Sequence, residues 1–106
     1  MGIFISPKVR AKLAAKHQVT EDEIRQCFLN MPEGYEFIRD VREQHQTNPP
    51  TWFFIAETNQ RRKLKICFMV FKVPTPAGEA IRTEIKTAYP PDDADIANYE
   101  KYGKSG

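Results

Sequence analysis

Eight side chains in this chain of 106 residues have the chemistry to act on a phosphate: Arg39, Arg42, His45, Lys63, Lys65, Lys86, Thr87 and Tyr89. Cations beside a scissile phosphate oppose the charge that develops in the transition state. Cleaving RNA without a metal also needs a group that takes the 2′-hydroxyl proton and one that protonates the leaving oxygen. Positioned acid–base groups of that kind are worth ~10²–10⁴ in rate. His45 sits in a polar stretch with Arg42 and Glu43 close by, and an ordinary imidazole titrates near pH ~6.5, suited to proton transfer at neutral pH. The same composition also describes a solvated loop histidine. His17, between two helices, reads as a donor to free helix carbonyls.

Other chemistries leave no trace. Phosphate-loop, dinucleotide, nucleophile-elbow and His-Glu-x-x-His motifs are absent. Acids cluster only at helix starts, Glu21–Glu23 and Asp92–Asp95, where capping and the helix dipole account for them. Cys27 and Cys67 lie among apolar neighbours and read as buried reduced thiols, with no zinc-like spacing. The sequence therefore calls for no cofactor and no metal. Trp52, Phe53, Phe54 and Tyr89 can stack on bases of a single strand. Trp52-Phe53-Phe54 spans both faces of a strand, however, so at least one of those rings is core.

The element that must position these groups is Lys63–Val73. Leu64, Ile66, Phe68 and Val70 take one parity and Cys67, Met69 and Phe71 the other, which predicts a central strand covered on both sides along much of its length. Arg61, Arg62, Lys63 and Lys65 give it a basic mouth. Net charge is only +2, so this local clustering, and not the whole-molecule balance, bears on partners. The length suits one domain over residues 1–103, with 104–106 as a disordered tail. Ile3–Ile5 is too short for a signal segment and no stretch reaches transmembrane length, which predicts a cytoplasmic protein without membrane contact.

Around that strand the elements follow in order. Gly2–Ile5 can form a short strand. Ser6-Pro7 opens a helix to about Lys16. Thr20 and Glu23 form a capping box, Val19 and Ile24 a hydrophobic staple, and a second helix runs on to Met31. Tyr35–Val41 is a first sheet strand, residues 42–50 a polar loop, and Thr51–Glu57 a second strand that turns directly into the central one. Glu79–Tyr89 is a fourth strand. Thr87 and Tyr89 share the parity of Ile85 there, so a bulge or twist is needed for Lys86 to join them. Asp92–Tyr102 is a terminal helix with Gly103 as its cap. These elements predict an α+β fold: an antiparallel four-stranded meander packed on one face by the N-terminal helical hairpin and the C-terminal helix.

Lys16-His17-Gln18-Val19-Thr20-Glu21-Asp22-Glu23 resembles the Lys-His-Gly-Val-Ser-x-Glu-Glu helix junction of BrnT-type toxins, with Gln18 in place of the glycine. The hairpin over Thr51–Val70 and the ending Ile85-Lys86-Thr87-Ala88-Tyr89-Pro90 look like the broader RelE-like and colicin-like small ribonucleases. The segment Asp40-Val41-Arg42-Glu43-x-His45-x-Thr47-x-Pro49-Pro50-Thr51 resembles small bacterial proteins grouped near these toxins. What the resemblance implies is a metal-independent endoribonuclease acting on RNA and neutralised by an antitoxin protein. It implies Thr87, Tyr89, Arg42 and His45 at the active site, with Lys65 and Lys86 on the phosphate. Lys63 and Arg39 join them as further cations for substrate. The competing expectation is a non-catalytic RNA- or protein-binding module on the same fold.

Overall fold

The computed structural model describes residues 2–40 and 48–104. In chain order its elements are β1 (Ile3–Phe4), α1 (Pro7–Lys12), a π-helical turn (Leu13–His17), α2 (Glu21–Leu29), β2 (Ile38–Arg39), β3 (Thr51–Glu57), β4 (Lys63–Thr75), β5 (Gly78–Tyr89) and α3 (Asp93–Tyr102). The strands form one five-stranded sheet in the order β1-β5-β4-β3-β2. From β2 to β5 each strand runs antiparallel to the next, the expected meander. β1 adds a parallel edge, with Ile3 opposite Thr83 and Phe4 opposite Glu84. The fold is α+β, but its sheet is five-stranded and mixed where four antiparallel strands are expected.

The helices also divide differently. Successive residues of a strand face opposite ways. Phe54 meets Phe28 of α2 with ring centroids 4.7 Å apart, whereas its neighbour Phe53 meets Tyr99 of α3 at 6.2 Å. α2 and α3 therefore lie on opposite faces, which corrects the expectation of every helix on one side. The physical reason is visible in β4. Its two parities, Leu64/Ile66/Phe68 and Lys65/Cys67, are all buried, and a strand apolar on both sides must be covered on both.

Local signals place the helices where the sequence predicts them. The Ser6 hydroxyl accepts from the Val9 N–H at 3.2 Å. Thr20 Oγ1 accepts from the Glu23 N–H at 3.2 Å while Glu23 Oε1 accepts from the Thr20 N–H at 3.1 Å, completing the capping box. α3 carries a second such box between Asp92 and Asp95. The first helix does not stay α-helical to Lys16. It widens into the π turn and ends on Gln18, whose φ of 53° lies in the left-handed region.

Two further differences concern the sheet. The β4–β5 register steps from Cys67 opposite Thr87 to Phe68 opposite Ile85, leaving Lys86 as the extra residue of a bulge. Ile85 therefore packs on the α2 face with Phe68, while Thr87 and Tyr89 turn to the α3 face. Of the expected Tyr35–Val41 strand, the described residues 35–40 form only β2. Tyr35 instead bridges Lys104, a residue expected in a tail, and the Glu36 N–H donates to the Gly103 carbonyl at 2.7 Å. Gly103 tolerates no side chain: a Cβ there would stand 2.7 Å from the Tyr99 carbonyl oxygen and 2.8 Å from its ring. No helix among the described residues is long and apolar enough to cross a membrane.

Candidate functional site

Lys65 is the third residue of β4, among buried apolar neighbours, with its side chain only 4% exposed. A buried ammonium has to be paired. Its Nζ donates to Asp95 Oδ1 at 2.9 Å and lies 4.4 Å from the centre of the Phe53 ring. Burial alone would raise the Asp95 carboxyl. The hydrogen bond from Lys65, the Asp92 main chain and the ammonium charge together outweigh it and hold Asp95 below its ordinary 3.8. Across the sheet Lys65 stands directly opposite Tyr89, with Nζ 5.8 Å from the phenol ring centre. Thr87, opposite Cys67, shares that face. Both Thr87 and Tyr89 are half-buried.

The other side of Tyr89 meets His17, ring centroids 5.6 Å apart. The π turn supplies this placement. Its wider turn ends with the Val19 N–H donating to the Leu13 carbonyl at 3.2 Å. Arg62 then takes the freed carbonyls, donating from Nη2 to His17 O at 2.8 Å and from Nη1 to Gln18 O at 2.8 Å. The same guanidinium pairs with Glu23 Oε2 at 3.0 Å. Burial would raise the Glu23 carboxyl, but Thr20 and Arg62 more than compensate and hold it below its ordinary 4.5. The sequence assigns those carbonyls to His17, but Arg62 serves them, and the imidazole turns to the phenol.

The structure thus brings Lys65, Thr87 and Tyr89 together on one face and adds His17 and Asp95. The sequence offers weak notice of those two. His17 carries no motif, and Asp95 is explained by its capping box; only the presence of a lysine in an apolar strand signals that an acid must meet it. Arg39 is exposed and lines, with Lys65 and Asp95, a cleft of about 640 Å³. Lys86 is the half-buried residue of the bulge, and Lys63 is exposed on a neighbouring cleft. Arg42 and His45 lie outside the described residues.

The basic mouth is correspondingly smaller than its composition suggests. Arg62 is committed to Glu23 and two carbonyls, and the Lys65 charge is buried against Asp95. Lys65 is not laid out as an open phosphate contact; its ammonium is buried against Asp95, 5.8 Å from the centre of the Tyr89 ring. Among the described residues no three of His, Cys, Asp or Glu are grouped to hold a metal ion. Compared with known proteins, the chain matches no family model and no curated sequence.

Proposed function

We propose that this protein is a metal-independent endoribonuclease of the toxin type, acting on RNA and held in check by an antitoxin protein. One observation carries the reading. An imidazole, a phenol and a buried ammonium–carboxylate pair come from four separate elements to one end of the sheet. The His17 imidazole takes the 2′-hydroxyl proton as that oxygen bonds to phosphorus and the bond to the 5′ oxygen breaks. The phenol of Tyr89 donates toward the departing oxygen, and the Thr87 hydroxyl beside it holds a phosphate oxygen. Lys65, close behind Tyr89, favours the negative charge that gathers there. His45 and Arg42, which lie outside the described residues, keep the acid–base and cationic roles that the resemblance implies.

The test is cleavage of single-stranded RNA by the full chain with EDTA present, comparing wild type with His17→Ala, His45→Ala and Tyr89→Phe. Folding of each variant is checked by circular dichroism.

One observation favours the alternative, a non-catalytic RNA- or protein-binding module. With Arg62 and Lys65 tied up in ion pairs, the mouth presents Arg61 and Lys63 as its exposed cations. A module of that kind binds RNA without cutting it, and log K falls by about 0.7 per phosphate neutralised as log salt rises.

A further inference from the structure

Beside Lys63 a cleft of about 780 Å³ opens between the β3–β4 turn, the C-terminal end of α2 and α3. Its walls are pinned. Asn30 Nδ2 donates to the Glu57 carbonyl at 3.0 Å and to Asn59 Oδ1 at 2.8 Å, and the Asn59 N–H donates to Gln26 Oε1 at 2.9 Å. Tyr35 and Tyr99 stack along one side, centroids 5.1 Å apart and planes 23° from parallel.

Within this setting one polar atom is unexplained. Tyr99 is 4% exposed, and its buried Oη has no hydrogen-bond partner. The Ile55 main chain beside it acts to lower the phenol, but no contact there meets hydrogen-bond geometry. Burial, more than the neighbouring Tyr35, pushes the phenol up to about 12, so it stays a neutral donor. Folded proteins keep few such groups, because each forfeits its hydrogen bonds to water. A ligand atom that accepts from Tyr99 would restore one. The surrounding chemistry narrows the ligand: stacked rings, two side-chain amides and an exposed lysine suit a flat heteroaromatic with a polar edge and an attached phosphate. The exposed carboxylates of Glu57 and Glu100 at the same mouth disfavour an anion without such a ring.

We infer that this cleft is a nucleobase subsite. It takes one base of single-stranded RNA beside Tyr35, with Tyr99 Oη on the base edge and Lys63 on the adjoining phosphate. The inference rests on the RNA reading above and extends it. Lys63 and Lys65 lie two residues apart on one face of β4, ~7 Å along the strand. Asp95, the partner of Lys65, precedes Ile96 of the cleft. A base seated here therefore selects which phosphate lies at Tyr89, and the enzyme gains a base preference.

The test titrates each of the four nucleoside 5′-monophosphates into the full chain and follows backbone amide shifts by NMR. Saturable shifts are expected at Asn59, Lys63 and Glu100 for one or two of the four, with inorganic phosphate alone moving none of them. Lys63→Ala and Tyr99→Phe should each weaken binding at least tenfold. Removing an unpartnered hydroxyl leaves the fold intact, so a loss in Tyr99→Phe reports the contact. Absence of binding by all four, shifts mapping elsewhere, identical shifts with phosphate alone, or unchanged affinity in Tyr99→Phe would each overturn the subsite. RNA cleavage without nucleotide binding in the cleft sinks the subsite alone. Nucleotide binding here without RNA cleavage sinks the ribonuclease reading and leaves the subsite standing.

Discussion

Lys65 and Tyr89 stand directly opposite each other on neighbouring strands, with the ammonium 5.8 Å from the phenol ring centre and 2.9 Å from Asp95. This pairing makes an otherwise apolar strand depend on a carboxylate from the last helix. Asp95→Asn should cost about 2–3 kcal/mol in urea unfolding, near the low end for a broken buried pair because Asp95 keeps 18% exposure. Lys65→Met, which removes the charge and keeps the volume, should stay within ~1 kcal/mol of wild type. Equal losses in the two variants would mean that the ion pair and not burial sets the stability.

Acid should find this ion pair and that of Arg62 with Glu23. Asp95 and Glu23 titrate below their ordinary 3.8 and 4.5 when folded, so the unfolded chain binds protons first as pH drops. Their contribution is fully present above those ordinary values and is lost as pH falls through the lower folded ones. Urea midpoints should be flat from pH 7 to 5 and decline steeply below pH 4. In Asp95→Asn the decline should be shallower, and a slope identical to wild type would contradict the assignment.

Gln18 carries a left-handed φ of 53°. A side chain in that region costs roughly 1–2 kcal/mol that glycine avoids, partly offset by the greater freedom of glycine in the unfolded chain. Gln18→Gly should therefore raise stability by about 0.5–1 kcal/mol and leave the His17–Tyr89 contact in place. Destabilisation of that size would show that the strain lies elsewhere.

Both cysteines are fully buried. Burial, reinforced by Glu23 and opposed by Arg62, pushes the Cys27 thiol up to about 12, and its Sγ lies 3.7 Å from the Ala56 carbonyl. Neither thiol should react with Ellman's reagent at pH 8 in the folded protein, and both should react at once in urea. Fast labelling of the native chain would contradict the burial.

What could be read in advance followed from short-range rules. Thr20 and Glu23 announce a capping box, Ser6-Pro7 a helix start, and the alternation over Leu64–Phe71 a strand with two buried faces. The antiparallel order of β3, β4 and β5 follows from their short connections, whereas residues 40–50 separate β2 from β3. Gly2–Ile5 is legible as a short strand, but two paired residues carry no pattern that fixes its parallel place beside β5. The placement of α3 is long-range: its weak amphipathic pattern does not say which face it covers, although two apolar parities on β4 already require cover on both sides. The bulge at Lys86 is a contest between ladder pairing and the burial of Ile85, which the alternation raises as a conflict without resolving it. His17 was obscured because a helix-end histidine ordinarily serves its own carbonyls, and only the fold shows that Arg62, far along the chain, takes them.

The most direct test of the central proposal is RNA cleavage in EDTA by the wild-type chain, Tyr89→Phe and His17→Ala. The site predicts that wild type cuts single-stranded RNA to cyclic-phosphate ends, and that each variant slows about 10²-fold or more while melting at the wild-type temperature. Cleavage by both variants at the wild-type rate, or none by the wild-type chain, would contradict it.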